Sequence, residues 1–210
     1  MTQVELPDDL WPDVRPAAAR RLMAAAVQSF SVRGYHATTT RDIATAAGMS
    51  PAALYVHFPA KSAVLFAISR SGHAGTLAMV ESAVAAAPDP VEAMRSVVEK
   101  FVAWHAKRHV VARVVQYELG ALTPEDYEVV IALRRRTEQH VRDVITRGVE
   151  QGCFQVPDVR TAARAALSMA IDVARWYSPA TKQSPVALGR QYAELVLRML
   201  GHQQGRAAPA

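Results

Sequence analysis

The residues whose types and spacing are suited to chemistry are concentrated in residues 40–58. Their pattern predicts two short helices joined by a turn at Gly48, and Ser50-Pro51 supplies the capping serine and first-turn proline of the second helix. Leu54 and Phe58 lie four residues apart, so both are expected to face the first helix. Helices joined in this way pack at a steep angle and place the second one in a DNA major groove. The pattern therefore predicts contact with DNA.

The exposed face of the second helix is predicted to carry small and aromatic side chains. Ala52 and Ala53 let the backbone approach base edges closely, and Tyr55 and His57 lie beside them. The surrounding segment 14–61 holds six arginines and lysines against one aspartate. Such a balance is typical of a surface that meets phosphate, so charge and shape both favour a nucleic-acid partner.

A longer pattern of residues at fixed spacing contains this segment. It consists of Leu22, Ala26, Phe30, Gly34-Tyr35, Thr39-Thr40, Asp42-Ile43-Ala44, Ala47-Gly48-Met49-Ser50, Leu54-Tyr55, His57-Phe58 and Lys61. In this pattern the chain resembles the TetR family of transcriptional regulators. The resemblance implies a sequence-specific, DNA-binding repressor that a small-molecule effector releases from a palindromic operator.

The resemblance also implies roles for single residues of the segment. Thr40 and Lys61 are expected to contact phosphate, Ala52 and Ala53 to face the bases, and Tyr55 and His57 to contact the DNA backbone. The two alanines depart from the family pattern, because they are limited to apolar contacts, for example with thymine methyl groups. The full set of predicted DNA-binding residues is Thr40, Arg41, Ser50, Ala52, Ala53, Tyr55, His57 and Lys61.

The elements that must position these residues are helical, because apolar residues recur with helical spacing and no alternating strand pattern is found. We predict an all-α fold of about nine helices with two domains. The predicted parts are a flexible arm over 1–15, a three-helix helix-turn-helix domain over 16–61, a ligand-binding and dimerisation domain over 62–201, and a flexible tail over 202–210. Beyond the fourth helix, which begins at Lys61, helices are expected near 91–108, 110–119, 124–151, 158–177 and 186–200.

The last two predicted helices carry stripes suited to close helix packing. One has small residues from Ala162 to Ala170, and the other has an apolar stripe of Leu188, Tyr192, Leu195, Val196 and Met199. The resemblance implies that these helices pair in a homodimer. A monomer core built from both stripes is the alternative that the sequence leaves open.

An effector site requires an apolar pocket with a few polar anchors. The candidate residues are Trp104, His105, Tyr117, Tyr127, Arg175, Trp176 and Tyr177. Arg175-Trp176-Tyr177 resembles the C-terminal pattern of actinobacterial family members that respond to CoA thioesters, which implies an acyl-CoA or a related hydrophobic anion. A multidrug-type sensor, and an aromatic helix end that only packs against the next loop, are the alternatives.

Composition excludes several other classes of protein. No apolar run reaches the length of a membrane span, residues 1–16 lack the apolar core of a signal peptide, and the single Cys153 fits a reducing cytoplasm. His105 and His109 have the spacing of a metal pair but lack a third ligand nearby. We expect a cytoplasmic protein with no membrane contact, metal or cofactor.

Catalysis is not predicted, because the sequence has no phosphate-cradling glycine loop and no nucleophile elbow. The alternatives are a helical CoA-dependent enzyme and a purely structural helical adaptor. Specific, salt-sensitive operator binding would reject both.

Overall fold

A computed structural model describes residues 10–12, 14–178 and 180–202, and within these ranges it contains nine α-helices and no strand. The helices are α1 Ala17–Ala37, α2 Thr40–Ala46, α3 Pro51–His57, α4 Lys61–Ala86, α5 Pro90–Lys107, α6 His109–Tyr117, α7 Pro124–Glu150, α8 Val159–Trp176 and α9 Pro185–Met199. A 3₁₀ turn, Leu119–Ala121, follows α6 and was not predicted. The all-α fold is confirmed, while most of the predicted arm and tail (1–9, Asp13 and 203–210) lies outside the described residues.

The chain forms two compact units. The first contains the residues up to 75 together with 108–133, and the second contains 76–107 and the residues from 134 onward. Helices α4 and α7 each contribute residues to both units. The first unit is therefore larger than the predicted helix-turn-helix domain 16–61. The boundaries of that domain stay a prediction.

The core of the first unit forms around α1. Its buried face includes Leu22, Met23 and Phe30, and each buried side chain of this size contributes about 1.5–3 kcal/mol. Gly34 interrupts the helix with φ +76°. Leu10 and Trp11, which lie within the predicted arm, are buried in the same core.

The core of the second unit is built on α5, along which α9 and α8 pack. Gly189 of α9 lies directly against α5, since a Cβ atom at this position would be 2.5 Å from the backbone oxygen of Glu99. Arg95 of α5 forms ion pairs with Glu92 and Glu194, the latter on α9. Gly189 permits the close approach of α5 and α9, and the ion pair between Arg95 and Glu194 also joins these two helices.

Helix α4 is long and apolar enough, by length and composition alone, to cross a membrane. Half of its most apolar 18-residue window is buried inside the structure. Core helices of folded proteins satisfy the same criteria, and Val64, Leu65 and Ile68 of α4 lie in the first core. Packing therefore accounts for the buried part of this apolar surface.

Candidate nucleic-acid interface

The start of α2 is fixed by a capping box between Thr39 and Asp42. The Thr39 hydroxyl accepts the Asp42 N–H at 3.1 Å, and the Asp42 carboxylate accepts the Thr39 N–H at 2.8 Å. Hydrogen bonds from the Thr39 side chain and backbone lower the pKa of Asp42, and Arg33 at 3.3 Å lowers it further. These contacts hold the first turn of α2, and with it Thr40 and Arg41, in one orientation.

The turn between α2 and α3 closes through the backbone. The Met49 N–H donates to the Ala44 carbonyl at 2.8 Å, and Gly48 has φ +65°, a conformation that residues with a Cβ rarely adopt. Ser50 then caps α3, because its hydroxyl accepts the Ala53 N–H at 3.2 Å. The turn and cap have the form that the sequence predicts.

Helix α3 is held in place by one buried face. Leu54 is fully buried, and it shares a core cluster with Phe58 and with Ile43 of α2. Ala47 packs against the same cluster. The predicted contact face of the two helices is confirmed, and the opposite face of α3 is left toward solvent.

The solvent face of α3 is apolar and aromatic. Tyr55 is 53% exposed, and its hydroxyl lies 3.1 Å from the Thr40 hydroxyl, which joins α3 to the start of α2. Val56 is 80% exposed, and Ala52 is exposed beside it. Val56 is not among the predicted DNA-binding residues, although its position two residues after Leu54 places it on the side of the helix away from the core.

Lys61, the first residue of α4, is bound within the protein. Its Nζ donates to the carbonyls of Tyr35 and Thr38, both at 2.7 Å, and to that of His36 at 3.4 Å. It also lies 4.1 Å from the centroid of the Tyr35 ring. Burial lowers the pKa of Lys61, and the charge of Glu118 acts in the opposite direction. All three ammonium hydrogens therefore have acceptors inside the protein, and the predicted phosphate contact stays a prediction.

The carboxylate of Glu118 completes this arrangement. Its Oε1 accepts the backbone N–H of Tyr35 at 3.1 Å, so Tyr35 is held through its N–H by Glu118 and through its carbonyl by Lys61. Burial, together with the charge of Glu118, raises the pKa of the Tyr35 phenol. The segment that leads into α2 is thereby fixed to both α4 and the end of α6.

The structure brings the predicted DNA-binding residues together on the first unit. Arg41, Ser50, Ala52 and Tyr55 are exposed, while Thr40, Ala53, His57 and Lys61 are half-buried. All but Lys61 belong to α2, α3 or the cap between them. Such an exposed second helix on a short, fixed helical pair is suited to insertion into a groove of DNA.

The predicted effector residues are divided between the two units. His105 is buried, stacks on Phe101 at 4.4 Å between centroids, and has its Nδ1 2.8 Å from the Phe101 carbonyl. Trp104 is half-buried and meets His105 edge-on. Tyr117 and Tyr127 belong to the first unit, and Tyr117 is 64% exposed.

Arg175, Trp176 and Tyr177 lie at the end of α8. Arg175 is exposed and pairs with Asp172 at 2.7 and 2.9 Å, and the hydrogen bonds from Arg175 lower the pKa of Asp172. Tyr177 donates its hydroxyl to the Gln183 carbonyl in the following loop, as in the packing alternative that the sequence left open. The effector role of these residues stays a prediction.

The second unit contains a small cavity with an entirely apolar lining. The lining residues are Met94, Val97, Val98, Phe101, Val141, Ala166, Leu167 and Ala170, from α5, α7 and α8. None of the predicted effector residues is among them. The sequence did not predict this cavity because three separate helices must meet to form it. Within the described ranges, no group of three histidine, cysteine or acidic side chains is arranged to hold a metal ion.

Two known families match separate parts of the chain. Residues 22–68 match the bacterial regulatory proteins of the tetR family, and residues 87–200 match the tetracyclin repressor-like C-terminal domain. The first match contains α2, α3 and the start of α4, and the second contains the helices from α5 to α9.

Individual relatives align over nearly the whole chain. The chain is 28% identical over 196 residues to the HTH-type transcriptional repressor KstR2 of Mycolicibacterium smegmatis, covering 91% of this chain and 95% of that protein. A tetR-family regulatory protein from Rhodococcus RHA1 is 39% identical in its crystal structure, with a TM-score of 0.85 and coverage of 90% of this chain and 100% of its own. The ketosteroid transcriptional regulator KstR2 of Mycobacterium tuberculosis is 25% identical, with a TM-score of 0.81 and coverage of 90% and 96%.

Proposed function

The chain belongs to the TetR family of bacterial regulatory proteins and is a DNA-binding transcriptional regulator; we propose that it represses transcription by inserting α3 into the major groove of a palindromic operator. The observation that supports this most strongly is the α2–turn–α3 geometry. Leu54 anchors α3 in the core, and Ala52, Tyr55 and Val56 are exposed to solvent.

Operator binding is proposed to use the predicted residues in two ways. Ala52 and Ala53 approach base edges, while Thr40, Arg41 and Tyr55 meet the phosphate backbone. The hydroxyl pair between Thr40 and Tyr55, at 3.1 Å, sets the spacing of two of these groups. Phosphate contacts of this kind supply affinity and register, whereas base contacts supply sequence preference.

The test is binding to a duplex selected by the protein from a random-sequence library, followed by fluorescence anisotropy over a range of salt. Ala53→Glu places a carboxylate at the groove and is expected to abolish binding while the melting temperature stays unchanged. Ala74→Glu, at an exposed position of α4, is the matched control and should bind as the native protein does. Retained affinity in Ala53→Glu would remove α3 from the interface.

We further propose that the working form is a homodimer that places one α3 in each half-site, about one helical turn of DNA apart. Part of the predicted α8 and α9 stripes is buried within the protomer, including Ala163, Ala166 and Val196. Leu195 and Met199, four residues apart on α9, remain exposed, as does Trp176 at the end of α8. Apolar side chains left in this way are the ones that a second copy would cover.

The effector is proposed to be a hydrophobic anion, with an acyl-CoA as the leading candidate, whose binding releases the operator. The similarity to KstR2, a ketosteroid regulator, supports a hydrophobic portion. The small cavity of the second unit has the apolar lining that a hydrocarbon requires, but its volume of about 10 Å³ holds little more than one water-sized group, so a ligand would have to widen it. The anionic portion rests on the resemblance at Arg175. That guanidinium pairs with Asp172, so an anion would compete with this carboxylate.

A thermal-shift screen of acyl-CoAs, free fatty acids and neutral hydrophobic compounds tests the effector class. Acyl-CoAs should raise the melting temperature and weaken operator binding, and Arg175→Ala should reduce both effects. Arg164→Ala, another exposed arginine of α8 with an acidic neighbour, is the control. Stabilisation by neutral compounds alone would favour a multidrug-type sensor. Because operator DNA is the proposed partner, we propose that the protein acts in the cytoplasm, and no catalytic role is proposed.

A further inference from the structure

We propose that α3 recognises its operator through thymine methyl groups and that Val56 is the main residue that reads them. This inference rests on the proposed insertion of α3 into the major groove, and it specifies which chemical feature of the bases is read there.

The side chains of Ala52 and Val56 lie on the solvent side of α3. Ala52 and Val56 are two residues before and after the fully buried Leu54, and a helix turns by about 100° per residue, so both lie on the side opposite the core. They are also four residues apart, which puts them in one row along the helix. Val56 is 80% exposed, the largest fraction among the exposed large apolar side chains of the described chain.

The exposed side chains of α3 are not of the types that read bases by paired hydrogen bonds. Reading guanine or adenine by paired hydrogen bonds requires arginine, lysine, asparagine or glutamine, and α3 (PAALYVH) contains none of these. Its tyrosine hydroxyl lies 3.1 Å from Thr40, and His57 is half-buried at the C-terminal end. The groups that lie opposite Leu54 on this helix are therefore the methyl groups of Ala52 and Val56.

The base edges determine what these methyl groups can contact in the major groove. In the major groove, the C5 methyl of thymine is the group that apolar side chains contact, whereas most of the other edge positions are hydrogen-bond donors and acceptors. An isopropyl group placed against a donor or acceptor would remove its water without replacing the hydrogen bond, which costs free energy. Val56 thus favours thymine and disfavours bases without a methyl group at the same position.

The experiment uses the full-length protein and a duplex selected from a random-sequence library. Each thymine is replaced in turn by deoxyuridine, which removes only the methyl group, and affinity is measured by anisotropy at one salt concentration. We expect a loss of about fourfold for each contacted methyl, the value of one buried CH₂ group. In Val56→Ala, the native duplex should bind more weakly, and deoxyuridine at the Val56-contacted position should have no further effect.

Val32→Ala is the matched control, because Val32 is a 55% exposed valine of α1 outside the recognition helix. It should leave affinity and thymine dependence unchanged. Uniform affinity for all deoxyuridine duplexes would overturn the inference while leaving operator binding by α3 intact. A methyl effect that persists in Val56→Ala would assign the reading to another residue and would also overturn it. Failure of the native protein to select any sequence would instead contradict the proposed function.

Discussion

Replacing Lys61 with methionine separates two roles for this residue, a phosphate contact and an internal tether. The substitution keeps most of the apolar stem and removes the ammonium, which donates to the carbonyls of Tyr35 and Thr38 at 2.7 Å. If the tether dominates, the main effect is on folding, because two partly buried carbonyls lose a charged donor. If the phosphate contact dominates, the main effect is on DNA.

The size of the folding effect follows from the contacts. A hydrogen bond from a charged group contributes about 1.5–3 kcal/mol, and a cation over an aromatic face adds about 0.5–1 kcal/mol at an exposed site. Since Lys61 is half-buried and water replaces part of what is lost, we take about 2–3 kcal/mol in total. In a protein of this size that lowers the melting temperature by roughly 5–10 °C.

The assay is chemical and thermal unfolding followed by circular dichroism, combined with operator binding over a range of salt. Lys100→Met, at an exposed position of α5, removes the same charge and should leave stability unchanged. The internal tether is contradicted if Lys61→Met unfolds like the native protein. In that case the variant would only reduce the slope of operator affinity against salt concentration by about one, as a lost phosphate contact would.

Four further substitutions test packing, capping and assembly. Gly189→Ala should destabilise the fold by about 1–3 kcal/mol, because its Cβ would lie 2.5 Å from a backbone oxygen of α5. Gly75→Ala, where no atom lies within 4 Å, should stabilise α4 by about 0.5–1 kcal/mol, and equal effects at the two sites in urea unfolding would contradict the packing argument. The pKa of Asp42 is lower in the folded than in the unfolded state, so its stabilisation is present above the unfolded pKa of about 4 and is lost as pH falls through the folded pKa. Asp42→Asn should therefore flatten the decline of the melting temperature below pH 4, and an unchanged decline would assign the acid sensitivity to other groups. Leu195→Arg should produce monomers in sedimentation analysis with greatly weakened operator affinity, whereas an intact dimer would place the interface elsewhere.

The local features of this fold could be predicted from the sequence because their causes are local. Helical spacing of apolar residues and the Ser50-Pro51 cap set helix bounds that the structure reproduces to within a few residues. The buried face of α3 followed from Leu54 and Phe58 in the same way. The residues that cap α3 and pack it against α2 could thus be named from the amino-acid pattern alone.

Features that depend on distant residues could not be predicted. The acceptors of Lys61 lie 23–26 residues before it, and sequence spacing carries no information about them. The apolar cavity needs side chains from α5, α7 and α8 to meet, so residues such as Val141 and Leu167 gave no signal of their own. Val56 is a different case, because its position relative to Leu54 contained the information.

The separation between the anchored and exposed sides of α3 has a consequence for how this regulator can diverge from its relatives. Leu54 carries the packing of the helix, whereas Ala52 and Val56 face solvent, where most substitutions change stability by less than about 0.5 kcal/mol. Gene duplicates could therefore acquire new operator preferences by changing these two positions without first gaining stability elsewhere. The same freedom makes the pair a practical starting point for engineering repressors that act independently of one another in a single cell.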